Sequence, residues 1–470
     1  MYSVPAEYYI RLHHVRPRFK GDIENVLIYM ATEIAEIPEL PNDVFAERVN
    51  EAVRLFPGNS TLVEKTINNW RTEISALFGY IESTDVFSKP GRRAIELAEK
   101  GDLVESFKVF MYSFQYPGAH IKSHEILPLI ESGVHFKPAQ YIIQLLQYAN
   151  ESKEIRIGIT KAEICHCIMN DLRCVRDNEG AEATWRRIRK NRDIGIEYDQ
   201  TGDVIRYAGD IIDYMEIANL LVTHDGRTYY LNPLENEAVL KFANSTEWYP
   251  AYDKMIETRT GDLQSINACR EGWFSYVNRD LASTDFSTDI LAFIGEDSGE
   301  YADLVQASHN LFDNRLQEDT DITTKEIGDF GESLVHSHEC ERVRIGGRPD
   351  LVHLIKKIPT QLAVGYDIGS VELDERKRYI EVKTTISSKP LHFNKVHLTR
   401  NEWNAASTMR DRYYVYRLML SKTERKLILL QDPVGLYKQD VIGMVPTDGA
   451  EISFNPATAG TYEELLSWKA

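Results

Sequence analysis

Between Gly365 and Thr385 the chain reads GYDIGSVELDERKRYIEVKTT, and this stretch limits the possible folds more than any other. GYDIGSVEL and RYIEVKTT are rich in β-branched and aromatic residues, and DERKR between them is charged throughout. The pattern predicts two strands, with Tyr366, Ile368 and Val371 against Tyr379, Ile380 and Val382, joined by an exposed turn. Alternation along the second strand puts Glu381 and Lys383 on one face and Ile380 and Val382 on the other. A hairpin brings Asp367 to the same end, with its register left open. Two carboxylates and one ammonium then share a small space.

The rest of the chain sets the frame. Its 470 residues suggest about three units. With 43% hydrophobic and 27% charged residues it is composed like a globular protein with a real core. No run of eighteen apolar residues occurs, so no ordinary membrane-spanning helix is expected. The start, MYSVPAEYYIRLHHVRPRFKGD, reads as mature structure without a secretion signal. Five cysteines scattered from Cys165 to Cys340 lack disulfide-framework spacing and fit a reducing cytoplasm. The net charge of −18 weighs against nucleic acid, whose affinity comes largely from Lys and Arg. Its distribution matters more. The segment from Asp321 to the end balances 21 acidic with 21 basic residues, whereas Leu281–Thr320 carries nine acids against Arg315 alone.

The N-terminal part reads mostly as helices. DVFAERVNEAVRLFP has helical apolar spacing and is followed by the Pro57-Gly58 breaker. NSTLVEKTINNWRTEISALFGYIES offers Asn59, Ser60 and Thr61 as N-caps and an apolar side of Leu62, Ile67, Trp70, Ile74 and Leu77. Its other side carries Lys65, Asn68, Asn69 and Arg71. Helix, turn and polar second helix is what major-groove recognition requires, and an amphipathic surface helix has the same pattern. SKPGRRAIELAEKGD reads as loop. GITKAEICHCIMNDLRCV reads as one helix capped by Thr160, and the next helix concentrates Arg186, Arg187, Arg189, Lys190 and Arg192. DIIDYMEIANLLVTHDGRTYYLNP then reads as a helix followed by a hairpin at Asp225-Gly226, a winged-helix layout. FKVFMYSFQYPG and YAGDIIDYMEIANLLVTHDGRTYYLNP resemble the recognition halves of Type IIS-like restriction endonucleases over roughly residues 1–245.

Near the other end, TTKEIGDFGESLVHSHE predicts a helix capped by Thr323 or Thr324, with Glu326 in its first turn and Glu332 in its middle. Asp367 with Glu381-Val382-Lys383 resembles the D…(D/E)xK signature of restriction-endonuclease-like nucleases. GESLV, GYDI, IEVKTT, F-x₃-HLTRNEW and YYVYRL resemble the nuclease-like domain at the C-terminus of the plant protein NO VEIN, over about residues 323–420. Phosphodiester hydrolysis suits these residue types. Asp367, Glu381 and the Val382 carbonyl supply hard oxygens for Mg²⁺, which lowers the pKa of a bound water. Lys383 is a compact cation able to orient that water or stabilise developing charge. The resemblance implies a supporting or second-metal role for Glu332.

Other motifs are set aside. Cys165, His166 and Cys167, like His336, His338 and Cys340, diverge around a helix axis instead of converging on zinc. His13-His14 has no later histidine before His120 to complete an HNH pattern. No phosphate-loop motif occurs, so no nucleoside triphosphate is expected.

The expectation is a multidomain, cytoplasmic protein. Winged-helix-like DNA-recognition domains over 1–145 and 146–245 precede a helical acidic connector over 246–322 and an α/β restriction-endonuclease-like domain over 323–470. Its function would be Mg²⁺-dependent, sequence-specific cleavage of double-stranded DNA, with transient dimerisation or sequential nicking for the second strand. The alternatives are a repair, junction-resolving or modification-dependent nuclease of the same fold, and a non-catalytic winged-helix regulator.

Overall fold

The computed structural model describes residues 1–151, 156–223, 225–281, 286–288, 327–359, 363–392, 395–421 and 424–465. Two compact units emerge, Met1–Glu99 with Leu103–Phe286, and Lys100–Asp102 with Ser287–Ala470. Residues 282–285 and 289–322 of the expected acidic connector lie outside the described residues, as do Thr323, Thr324 and Glu326.

The first unit opens with α1 (Ile23–Ala35), β1 (Leu40–Pro41), α2 (Asn42–Leu55), α3 (Glu64–Phe78), β2 (Ile81–Ser83) and β3 (Phe87–Pro90). The expected apolar side of α3 is buried at Ile67, Trp70, Ile74 and Leu77. Leu62 precedes the helix, and the N-cap position is Val63, without a side-chain cap. Asn59, expected as a cap, instead donates its side chain to the Val53 carbonyl at 2.9 Å, closing the end of α2. Gly79 ends α3 at φ +70°, a conformation that glycine adopts at least cost. The three strands form an antiparallel sheet in the order β1-β3-β2. The expected loop SKPGRRAIELAEKGD is therefore partly strand, and it continues as the helix Arg92–Lys100. Buried Arg93 donates to the Val277 carbonyl at 2.8 Å; this long-range contact has no local signal.

The second half of this unit repeats the plan with additions. It contains α4 (Pro138–Asn150), β4 (Ile159–Thr160), α5 (Ala181–Asp193), α6 (Gly202–Ile217), β5 (Leu221–Thr223) and β6 (Thr228–Leu231), with sheet order β4-β6-β5. Thr160 caps Lys161–Ile164 through a capping box with Glu163, as its sequence position suggests. The single helix expected there is broken into Lys161–Ile164, a π-helical turn Cys165–Met169 and Leu172–Val175. Buried Asp171 restarts the chain by accepting the Arg173 N–H. Residues 253–258 and 263–277, expected in the connector, are helices of this unit; α7 (Leu263–Val277) buries Ile266 and Trp273.

The second unit contains α8 (Ile327–Ile345), α9 (Arg400–Met409) and strands β7 (Lys356–Lys357), β8 (Ile368–Val371), β9 (Lys377–Ser387), β10 (Lys395–Thr399), β11 (Tyr413–Ser421), β12 (Arg425–Gln431), β13 (Gly443–Pro446), β14 (Gly449–Ser453) and β15 (Thr461–Glu464). Six strands form a mixed sheet in the order β15-β12-β11-β9-β8-β7. β11 runs parallel to β9, so the connection between them must cross over. α9 supplies the helix of that crossover and, with β10, β13 and β14, lies outside the main sheet. The opposite face of β9 meets α8. A Cβ at Gly331 of α8 would fall 1.8 Å from Thr384 Oγ1, so only glycine permits this approach. Arg378, expected in the exposed turn, is buried and reaches Glu339 of α8 at 3.3 Å and Glu372 at 2.8 Å. The remaining residues of the turn, Asp374 to Lys377, are exposed.

Candidate active site

The hairpin register places Ile368 opposite Ile380. One residue earlier, the Asp367 N–H donates to the Ile380 carbonyl at 2.9 Å. Val382 returns the link, its N–H donating to the Asp367 carboxylate at 2.8 Å. A strand residue points its N–H and C=O to the same edge, so the Val382 carbonyl also lies on the Asp367 side. Lys383 Nζ stands 2.8 Å from Glu381 Oε1, as the alternation requires. The structure thus brings together Asp367, Glu381, Val382 and Lys383.

A fourth side chain was missed. Glu402, at the start of α9, accepts Lys383 Nζ at 3.0 and 3.1 Å. Its signal lies in the quoted HLTRNEW: Thr399 and Glu402 have capping-box spacing, and that box forms. What places this box beside Lys383 is the β9-to-β11 crossover, which no local pattern specifies. Glu332 on α8 is ion-paired with Lys357 at 2.9 Å. Lys357 is the register partner of Ile368, so Glu332 anchors the strand beside Asp367.

The electrostatics follow from crowding. Glu381 is 4% exposed. Its burial, then the charges of Asp367 and Glu402, hold its carboxyl well above the ordinary range, against the pull of Lys383. Burial likewise raises Asp367, opposed by the Val382 N–H and Lys383. Burial works against charge on Lys383, but Glu381 and Glu402 outweigh it and hold the ammonium above its usual value. Burial also disfavours ionised Glu402, yet Lys383 and the Thr399 N–H keep it below the carboxylate norm. One ammonium therefore faces three crowded carboxyls, and ionisation of Glu381 and Asp367 is disfavoured by their burial.

A divalent cation suits that arrangement because its charge would offset the crowded carboxylates. Asp367 and Glu381 are hard oxygen donors, and no third His, Cys, Asp or Glu completes a side-chain cage among the described residues. Two carboxylates and a carbonyl fit Mg²⁺, which retains several waters.

The basic residues of the first unit separate into two groups. Lys65 of α3 is exposed and Asn69 half-buried. Asn68 accepts from Asn50 of α2 at 3.1 Å, and Arg71 donates to Asn50 at 2.9 Å; both fasten α3 to α2. On α5, Arg186, Arg189 and Lys190 are exposed. Arg187 is directed inward to Glu179 at 2.6 Å and Asp171 at 3.6 Å. Arg192 reaches Glu163 at 2.6 Å. The set-aside cysteines Cys165 and Cys167 are buried, and burial pushes both thiols above their ordinary value. His338 pairs with Glu463 at 3.2 Å.

A helical half is thus followed by a sheet-rich half that bears this acidic and basic cluster. The family described as restriction endonuclease BpuJI, N terminal, matches residues 2–274, more than half the chain, and the chain belongs to that family. A second family, protein NO VEIN, C-terminal, matches residues 331–430. Among solved structures, the BpuJ1 endonuclease binding domain in complex with pyrene- and phenanthrene-modified DNA aligns with a TM-score of 0.52 at 22% identity. It covers 59% of this chain and 100% of its own. No curated protein matches. Among the described residues, no helix is long and apolar enough to cross a membrane.

Proposed function

We propose that this chain is a Mg²⁺-dependent, Type IIS-like restriction endonuclease that hydrolyses double-stranded DNA at or near a recognised sequence. The observation that carries the reading is the convergence of Asp367, Glu381 and Lys383, with Lys383 Nζ 2.8 Å from Glu381 and the Asp367 carboxylate on the Val382 N–H. In this reading Asp367, Glu381 and the Val382 carbonyl would hold the metal. Bound there, Mg²⁺ supplies a water of lowered pKa and neutralises phosphate charge. Lys383 offers a fixed positive charge to the phosphate oxygens as negative charge develops on them. The Val382 N–H holds the Asp367 carboxylate in place, and Glu332 steadies the neighbouring strand through Lys357.

The first unit is read as the DNA-recognition part. The order α1-β1-α2-α3-β2-β3 and its elaborated repeat support two winged-helix modules, and the BpuJ1 binding domain was solved with DNA. Exposed Lys65, Arg186, Arg189 and Lys190 are offered to phosphates and Asn69 to a base edge, while Asn68, Arg71, Arg187 and Arg192 hold the helices that present them. One site cuts one strand, so a second copy or a second encounter would complete a double-strand break.

The test is a plasmid digest in Mg²⁺ and in EDTA, with sequencing of the cut ends. Recurrent ends at a fixed offset from one sequence, lost in EDTA and with Glu381→Ala, support the reading. Equal cutting by wild type and Glu381→Ala overturns it.

A further inference from the structure

Glu402 belongs to none of the roles given above, and its geometry suggests one. We propose that Glu402 is the positioning residue that fixes the Lys383 ammonium for the phosphate, an inference that rests on the nuclease reading of this site. Both carboxylate oxygens receive Lys383, at 3.0 and 3.1 Å. Oε2 also accepts the Thr399 N–H at 3.0 Å, and the Glu402 N–H returns to Thr399 Oγ1 at 3.4 Å. The side chain is thereby pinned by backbone at the N-terminus of α9, where the helix dipole favours a carboxylate.

Lys383 needs such a partner because its ammonium sits on a flexible four-carbon stem. Its other acceptor, Glu381, is a candidate cation ligand, so the oxygens of Glu381 have a competing use. Glu402 is instead pinned by the Thr399 N–H as well as by Lys383. It holds the ammonium whether or not Glu381 is engaged elsewhere.

Glu402→Gln separates tether from cap, since glutamine serves the capping box as well as glutamate does. In single-turnover cleavage by the full chain with Mg²⁺, it should slow the reaction about 10- to 100-fold, the usual effect of losing an orienting partner. Specific DNA binding in Ca²⁺ should stay unchanged. Glu402→Asp, charged but shorter, should recover part of the rate.

A second readout needs no catalysis. In ¹⁵N spectra of the metal-free chain, the Lys383 ammonium signal should persist in Glu381→Gln and vanish in Glu402→Gln. Thr399→Ala opens the box but leaves the carboxylate, so it should lower the melting temperature and keep the signal. Loss of the signal in Thr399→Ala assigns the effect to the helix end and overturns the proposal. So does cleavage by Glu402→Gln within about twofold of wild type. Should the spectra behave as expected while wild type fails to cut DNA, the tether stands and the nuclease reading falls.

Discussion

The Asp367 carboxylate accepts the Val382 backbone N–H at 2.8 Å, so a candidate cation ligand is aimed by the same strand that carries the other acidic and basic groups. Two consequences are separable. Asp367→Asn keeps an oxygen for the N–H, so it should fold normally yet lose cleavage by at least ~10²-fold, the scale of removing one catalytic electrostatic contact. Asp367→Ala should also cost about 1–3 kcal/mol by leaving that N–H without its acceptor. Urea denaturation beside a cleavage assay distinguishes the two, and equal stability of both variants would contradict the assigned bond.

Stability in EDTA should depend on pH through Glu381. Burial, then its acidic neighbours, raise the folded-state pKa of this group. Its stabilising contribution is therefore complete below the unfolded value of about 4.3 and is lost as pH rises through the raised folded value. Glu381→Gln should accordingly melt higher than wild type at alkaline pH, with the gap closing in acid. Because a metal binds the ionised carboxylate, Mg²⁺ affinity of the wild type should tighten with pH. A pH-independent gap would contradict the upward shift of Glu381.

Arg187 and Lys190 lie three residues apart on α5 but should fail differently. Arg187→Ala removes the guanidinium partner of partly buried Glu179 while Asp171 keeps Arg173, and losing such a charged contact costs about 1–3 kcal/mol. Gln at Arg186, Arg189 and Lys190 should spare the fold and weaken DNA binding. Each phosphate contact removed should flatten the log–log salt dependence by about 0.9. Thermal melts and binding isotherms across salt concentrations measure both.

Gly331→Ala should destabilise the second unit by about 1–3 kcal/mol, as overpacking does, because the new methyl would meet Thr384 Oγ1. The double variant with Thr384→Ser, which keeps the hydroxyl that the new methyl meets, should remain destabilised. Replacing Thr384 with Gly in the Gly331→Ala background should recover more, and chemical denaturation of all three reports the difference.

The family resemblance drawn from short motifs agrees with the family matches, and the local features were legible because each depends on neighbours in sequence. Alternation alone put Glu381 and Lys383 on one face of β9, Thr160 announced its capping box, and the apolar spacing of α3 marked the side it buries. The strand and helix across SKPGRRAIELAEKGD were less legible, since Arg93 is held by a carbonyl at Val277.

By itself the sequence determined the two strands and the shared face of Glu381 and Lys383, because a strand has a period of two, whereas the register that sets Asp367 beside Val382 came from the fold. Tertiary structure decided which charges are used internally. Arg187 turns back to Glu179 just before its own helix, while Arg192, Arg378 and Lys357 look like surface cations in the sequence, and each meets a carboxylate supplied by a different element. The same holds for Glu402, which reads locally as a helix cap and reaches Lys383 only after the chain crosses from β9 to β11. Burial and long-range ion pairing arise from packing between distant segments, and no local periodicity encodes them.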